Sequence, residues 1–472
     1  MKKLIISFAI FWCAHMSADN QTPTVSPIAV DDSSLPFTVK ITQADFQLLG
    51  GLHSFACAMY DGKWLILCGR TNGLHGFSNT PNNFPPVSQN YSVYVVDPEM
   101  EYVAARALTD PSSGLNEHEI DTLSVTSPQS YQKDKTLYIT GGYGVESSTG
   151  NFSTKNTLTA IDIPGLMEWV RNPSSHHTAK DFIRQTTNDA FRVTGGFMTQ
   201  IGDDHPSLLV FGQDFEGPYY GSSNGVYSEQ VRRFEIYDDG KTLTVDVKDP
   251  QPLQPDPSFR RRDLNVVSVM QEIDGKTKPA LIAFSGVFTE TTGIWTVPVE
   301  ISSDGDPVMK DPTACDAFKQ GMNNYVSASL GIYSSKHGDM YTVLFGGISY
   351  GFFTNGQFET DSEFPFINEV TTIKRDRQGL YEQFLMDATY PTIVSTQANA
   401  GNELLFGAGA QFFPKNGDHQ YANGVFKLGH LEKGCHHVGY IVGGIQSTVP
   451  NTTSISDTSA SAYIFNVYVE IK

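Results

Sequence analysis

The chain has 472 residues, a formal net charge of −19 at pH 7 and no apolar run of 18 or more residues. An acidic surface repels phosphate backbones and anionic lipid, so binding to nucleic acid or to a membrane surface is disfavoured. No segment is long and apolar enough to be predicted to cross a bilayer.

The N-terminus has the pattern of a secretory signal. Lys2 and Lys3 precede the apolar run Leu4–Ala14, and Ser17-Ala18 supplies small residues for cleavage. We therefore predict a signal peptide over residues 1–18 and a secreted, periplasmic or cell-surface protein. Residues 19–36 are rich in Ser, Thr, Pro and Asp, which predicts an unstructured leader before a single domain at residues 37–472.

A short apolar strand that ends in small residues, usually Gly-Gly, recurs six times along the chain. The final glycines of the six copies are Gly69, Gly142, Gly212, Gly286, Gly347 and Gly444. Another apolar strand precedes each copy, a loop and a third strand follow it, and often a fourth strand comes next. Such self-similarity is typical of repeat folds. Four antiparallel strands per unit predict an all-β, six-bladed β-propeller.

Several local elements can be predicted in chain order. Phe37–Ile41 is placed to complete the last blade and so close the ring without a free edge. Asp61-Gly62 between two apolar runs predicts a two-residue hairpin turn. Gly165–Val170, with Ala179–Ile183 after it, predicts a short helix or a turn between the second and third units. Ile294–Val299 is the predicted third strand of the fourth unit.

The first unit also carries a more specific resemblance. Its third strand ends Val95-Val96-Asp97-Pro98, which resembles the kelch family, although Val103 and Ala104 stand where that family usually has Trp. The closer resemblance is to secreted bacterial kelch-like proteins without an established activity. It is carried by Asp61–Trp64, Gly69–His75, Arg261–Val267 and Val438–Ile445. The resemblance implies the propeller fold, and it implies no activity.

Propeller geometry predicts where a binding site would lie. The loop before each inner strand and the loop after each Gly-Gly emerge on one face, so their side chains ring one mouth of the central channel. The residues predicted there to bind a ligand are Arg70, His75, Gln129, Arg261, Arg262, Asp263, Asn265, Asn324 and Tyr325.

Arg261–Asn265 is the densest polar element. Alternation along a strand would point Arg261, Asp263 and Asn265 one way and Arg262 the other. A guanidinium group at a channel mouth could bind a carboxylate, such as that of a sugar acid, through two parallel hydrogen bonds. The other interpretation is an Arg–Asp pair that joins neighbouring blades. For Arg70 and His75 the alternative to a place at the mouth is an ordinary surface turn.

We predict no metal site and no cofactor. The pairs His176-His177 and His436-His437 have no third ligand at a recognisable spacing. Cys57 and Cys68 would be diagonal neighbours on one hairpin face, too far apart for an unstrained disulfide, and are predicted to be free thiols.

Two classes of function remain open. The first, which we favour, is a non-enzymatic module that binds a glycan or a protein at the mouth, because the sequence offers no recognisable acid–base pair. The alternative is a carbohydrate-active enzyme that resembles the sialic-acid mutarotases, which are periplasmic kelch proteins. We expect a monomer with neither a nucleic-acid partner nor a membrane insertion.

Overall fold

The computed structural model of the protein describes residues 25–79, 83–174, 176–220, 225–273, 275–287, 289, 293–415 and 419–472. The predicted signal peptide lies outside these residues. The fold is all-β, with two short α-helices at Glu117–Leu123 and Ile163–Arg171. In the part of the chain that the structure describes, no helix is long and apolar enough to cross a membrane.

Successive antiparallel four-strand units follow one another along the chain, and each has an inner, a second, a third and an outer strand. The first sheet has the strands Ala56–Tyr60, Lys63–Leu67, Ser92–Asp97 and Tyr102–Ala107. The second has Gln129–Lys133, Thr136–Thr140, Thr157–Asp162 and Ile183–Thr187. The third has Phe197–Gln200, Ser207–Val210, Val231–Asp238 and Leu243–Gln251.

The remaining sheets keep the same order. The fourth has Asn265–Ile273, Lys276–Phe284, Val299–Ile301 and Pro307–Met309. The fifth has Ala328–Ser334, Asp339–Ile348, Phe366–Arg375 and Tyr381–Thr389, and it is extended by the parallel strands Phe426–Lys427 and Ile28–Ala29. The sixth has Gln411–Pro414, Gly434–Val442, Tyr463–Ile471 and, as its outer strand, Phe37–Gln47.

Short strands outside these sheets form the loops on one face. Three hairpins pair Tyr143–Glu146 with Asn151–Thr154, Gln213–Asp214 with Val226–Tyr227, and Gly351–Thr354 with Gln357–Thr360. A three-stranded sheet contains Leu405–Ala408, Ile445–Ser447 and Thr458–Ala460.

The predicted turn at Asp61-Gly62 is confirmed. Tyr60 pairs directly with Lys63, and the two residues between them have φ values of 50° and 71°. Positive φ at both central positions defines the primed turn that matches the twist of the flanking strands.

The recurring glycines are required by a close approach of neighbouring chain segments. All six final glycines have φ between 80° and 105°. A Cβ atom on Gly142 would lie 2.5 Å from Val125 Cγ2, and one on Gly69 would lie 2.5 Å from the His53 carbonyl oxygen. Both the backbone conformation and the space therefore exclude a side chain there.

The hydrophobic core lies between successive sheets. One buried cluster also joins the sixth sheet to the first: the Trp64 ring stacks on Phe413 at 4.6 Å and meets the edge of Tyr440 at 5.1 Å. Each sheet consequently buries both faces, which explains the nearly continuous apolar runs of the second strands.

The N-terminal strand Phe37–Gln47 pairs antiparallel with Tyr463–Ile471. By contrast, the prediction of an unstructured leader is wrong for its described part, residues 25–36. Ile28–Ala29 pairs in parallel with the outer strand of the fifth sheet, Ser26 N–H donates to the Lys319 carbonyl at 2.8 Å, and Leu35 is buried in the core. Backbone pairing and the burial of Leu35 therefore order this segment despite its low hydrophobicity.

Two further local predictions have different outcomes. The predicted helix is present as Ile163–Arg171, with the Asp162 carboxylate accepting the Gly165 N–H at 2.7 Å. The predicted strand Ile294–Val299 is wrong, because Ile294 makes only an isolated bridge with Val287 and a continuous strand begins at Val299. Pro298 cannot donate to a ladder, and the Trp295 indole instead donates to the Arg260 carbonyl at 2.6 Å.

Candidate functional site

Two cavities lie one behind the other along the inner strands. The mouth cavity, about 450 Å³ in volume, is surrounded by the loops before the inner strands and the loops after the final glycines. The inner cavity is lined by residues of the inner strands of all six sheets, such as Cys57, Gln129, Met198, Val266, Ala328 and Phe412. The loops before the inner strands and after the final glycines therefore converge on the mouth cavity.

A narrow ring of backbone separates the two cavities. We call it the neck. Its members line both cavities and all have φ between 48° and 71°: Ser54, Ser127, Gly195, Asp263, Val326 and Gly409.

Backbone hydrogen bonds link the members of the neck in succession. Ser127 N–H donates to Ser54 O at 3.1 Å, Gly195 N–H to Ser127 O at 3.3 Å and Asp263 N–H to Gly195 O at 2.8 Å. On the other side, Ser54 N–H donates to Gly409 O at 3.1 Å. Asp263 is the one neck member with a charged side chain.

One wall of the mouth cavity is aromatic. The His75 ring stacks on Phe84 with 4.9 Å between centroids and an interplanar angle of 27°, and it meets the edge of Tyr219 at 4.8 Å. Phe84 also meets the edge of Tyr143 at 5.5 Å. Such edge and offset contacts fix the ring planes, so the wall is a rigid surface for an apolar ligand face.

Arg70 holds this wall in place. Its guanidinium lies 4.9 Å from the centre of the Phe84 ring, while Nε donates to Asn72 Oδ1 at 3.0 Å and Nη2 to the Pro85 carbonyl at 3.2 Å. Burial lowers the pKa of Arg70 to about 10, which leaves it charged at neutral pH.

Arg262 and Asp263 form an ion pair beside the neck. Arg262 Nε lies 3.7 Å from Asp263 Oδ2, and the two side chains are 7% and 35% exposed. The accessible part of Asp263 faces the cavities. Burial raises the pKa of Asp263, and the charge of Arg262 opposes that shift.

The predicted alternation of side chains along Arg261–Asn265 is wrong. Arg262 and Asp263 both line the mouth cavity, whereas Arg261 does not. Regular strand geometry begins only at Asn265, and the φ of 48° at Asp263 breaks the two-residue period.

Arg261 packs inside the fourth sheet instead. It is fully buried, donates to the Ser285 carbonyl at 3.0 Å and to the Val297 carbonyl at 2.8 Å, and its guanidinium lies 4.6 Å from the centre of the Trp295 ring. Arg261 is therefore held by backbone carbonyls and not by the predicted Arg–Asp pair between blades, and its Nε has no hydrogen-bond partner among the described residues.

The other predicted residues lie in three places. Tyr325 lines the mouth cavity together with Arg70, His75, Arg262 and Asp263. Gln129 and Asn265 line the inner cavity, and Asn265 joins two sheets by donating to the Asn324 carbonyl at 2.7 Å and accepting from Ser327 N–H at 3.0 Å. Asn324 is fully buried, donates to the Gly346 carbonyl at 2.8 Å and lines neither cavity.

Sequence reasoning missed part of the aromatic wall. Phe84 and Tyr219 come from the long loops that follow the first and third final glycines, and neither was among the predicted site residues. The signal available in the sequence was the concentration of aromatic residues in those loops.

The partly buried histidine of the wall, His75, predicts a pH-dependent stability. Burial lowers the pKa of His75 to about 4, from 6.5 in an exposed histidine. As the pH falls from 6.5 to 4, the unfolded chain gains a proton that the folded protein does not, so the free energy of unfolding decreases, by at most about 3 kcal/mol. Below pH 4 this contribution changes no further.

This contribution can be isolated by comparing thermal or urea unfolding of the wild type and of His75→Phe between pH 7 and 4. The wild type should lose more stability over this range than the variant. His337→Phe, a change at an exposed ring, is the control and should follow the wild type. Parallel profiles for the wild type and His75→Phe would contradict the prediction.

Among the described residues no group of three or more His, Cys, Asp or Glu side chains has a geometry that could hold a metal ion. Cys57, Cys68, Cys315 and Cys435 are free thiols. Burial raises the pKa of Cys57 to about 12, so this thiol, although it lines the inner cavity, is a poor nucleophile at neutral pH.

Comparisons with known proteins do not assign the chain to a family. No protein-family model matches the chain, and no curated protein does. Among solved structures, one titled "Structure of YjhT" is similar at 10% sequence identity and a TM-score of 0.43, over 90% of this chain and 98% of that chain.

Proposed function

We propose that the six sheets are the blades of a kelch-type β-propeller whose ring is closed by the strand Phe37–Gln47. The common strand order of the sheets supports this proposal. So do the neck of equivalent backbone positions and the Trp64 cluster between the sixth and first sheets. A closed ring places every sheet between two others, so that both faces of each sheet are covered.

We also propose that the protein works outside the cytoplasm, as a monomer. The basic and apolar segment at residues 1–14 and the small residues Ser17 and Ala18 support export. The N-terminal mass of protein isolated from its native host tests this: cleavage near Asp19 is expected, and an intact Met1 would refute it.

We infer that the function is recognition of a small glycan in the mouth cavity. The observation that carries this inference is the combination, within about 450 Å³, of an aromatic wall and the Arg262–Asp263 pair. Sugar rings present an apolar face of C–H groups and an edge of hydroxyl groups. A flat aromatic surface suits the first, and charged acceptors and donors suit the second.

Binding is favoured over catalysis by the state of the possible proton carriers. His75 is part of the wall, and its Nδ1 is within 2.8 Å of the Gly76 carbonyl oxygen. Burial lowers the pKa of His53 to about 3, so both histidines are neutral at pH 7. A general acid and base must both reach the reacting atoms, and Asp263 is already paired with Arg262.

A glycan array followed by titration calorimetry tests the proposal. Phe84→Leu keeps the apolar volume but removes the flat ring, and it should weaken binding about tenfold. Tyr102→Leu, a change on an exposed ring in the outer strand of the first sheet, is the control and should bind like the wild type.

Two results would overturn the proposal. Binding that survives Phe84→Leu unchanged would remove the mouth cavity as its site. Catalysed exchange of sugar anomers by the wild type, followed by NMR, would favour the mutarotase-like alternative over simple recognition.

A further inference from the structure

The mouth cavity contains two arginines, but protein groups already accept hydrogen bonds from Nε and Nη2 of Arg70, a residue that is 2% exposed. Nε and Nη2 of Arg70 donate to Asn72 and to the Pro85 carbonyl, and the guanidinium face covers Phe84. A ligand carboxylate could therefore form a two-point contact with Nε and Nη2 of Arg70 only by displacing these partners.

Arg262 is committed in a similar way. Its guanidinium is nearly buried, lies 3.7 Å from the Asp263 carboxylate and faces the Tyr227 ring at 6.0 Å. A carboxylate that approached Arg262 from the cavity would come close to Asp263, and the two negative charges would repel each other in a poorly hydrated space.

Asp263, in contrast, has unused acceptor capacity. An ionised carboxylate has about four lone-pair positions. Among the described residues, no side chain donates a hydrogen bond to it within normal distance, and Arg262 at 3.7 Å is its ion partner. Its place in the neck fixes its direction, because its own N–H donates to Gly195 O.

The remaining groups of the mouth cavity add no positive charge. His53 and His75 are neutral at pH 7, since burial lowers the pKa of each well below 6.5. Glu363 at the rim is a second carboxylate. The cavity as a whole therefore presents carboxylate oxygens, which can accept hydrogen bonds from hydroxyl groups, beside a flat aromatic wall.

We propose that the mouth cavity is selective for neutral sugars with adjacent hydroxyl groups, which donate to Asp263, and that it rejects the corresponding sugar acids. This selectivity rests on the proposed glycan-binding function. In the bound state two neighbouring hydroxyls donate to the two carboxylate oxygens, and the C–H face of the sugar packs on the wall of His75 and Phe84.

Matched ligand pairs at pH 7 test this selectivity. Glucose and glucuronic acid, galactose and galacturonic acid, and mannose and mannuronic acid differ only in a CH₂OH group or a carboxylate at one carbon. Titration calorimetry and ligand-observed NMR give the ratio of their dissociation constants. In the pair that binds, we expect the neutral sugar to bind at least tenfold more tightly.

Asp263→Asn assigns the selectivity to one side chain. Asn tolerates the positive φ of this position, so the variant should fold, which a thermal melt checks. The preference for the neutral sugar should fall at least tenfold. Asp203→Asn, the same chemical change in an exposed turn at the opposite ends of the strands, should leave the ratio unchanged.

The outcomes separate the two proposals. Tighter binding of the sugar acid by the wild type, or an unchanged ratio in Asp263→Asn, would overturn the selectivity while leaving glycan recognition intact. Binding of neither member of any pair, together with an empty glycan array, would overturn both.

Discussion

Deletion of residues 37–45 should abolish cooperative unfolding of the whole domain. This segment forms most of the outer strand of the sixth sheet and pairs with Tyr463–Ile471. Phe37, Val39 and Ile41 are at most 7% exposed. Burial of such side chains contributes about 1.5–3 kcal/mol each, and their sum is comparable to the entire stability of a typical domain.

Calorimetry or circular dichroism during heating measures the effect. Phe37→Ala is the milder version and should cost about 3–5 kcal/mol. Lys40→Ala, an exposed position on the same strand, is the matched control and should stay within about 0.5 kcal/mol of the wild type. A deletion variant that melts like the full chain would show that the first and last parts of the chain stabilise the fold in some other way.

Arg261→Ala should be the most damaging single substitution among the predicted site residues. It removes a fully buried side chain that donates to the Ser285 and Val297 carbonyls, and it leaves both acceptors and the Trp295 ring uncovered. Each unsatisfied buried group costs about 1–3 kcal/mol, so the loss of stability should be roughly 3 kcal/mol or more. Arg171→Ala, at an exposed helix end, is the control.

The same variant distinguishes a structural role of Arg261 from a role in ligand binding. Arg261 lines neither cavity, so the folded variant at low temperature should bind glycan with the wild-type affinity. Loss of binding in a folded Arg261→Ala protein, measured by calorimetry below its melting temperature, would restore the interpretation of Arg261 as a ligand-binding residue.

Local chemistry made much of the architecture predictable from the sequence. Asp61-Gly62 specifies its turn through the backbone preferences of two adjacent residues. The final glycines, such as Gly142, mark places where a positive φ and a close neighbour exclude any side chain. These constraints act over a few residues, so they remain visible in the sequence without tertiary information.

Assignment of the candidate site required the tertiary structure. Arg261 and Arg262 are adjacent and chemically identical, yet one lies inside the fourth sheet and the other lines the mouth cavity. The positive φ of Asp263, whose N–H donates to the Gly195 carbonyl 68 residues away in the chain, also turns Asp263 toward the cavity that Arg262 lines, against the alternation expected of a strand. Phe84 and Tyr219 likewise meet only because two long loops fold over the same mouth. The repeat, the Asp61-Gly62 turn and most of the strands could be predicted from the sequence, because these depend on neighbouring residues. The folded chain decided which side chains share a cavity, because that depends on contacts between sheets.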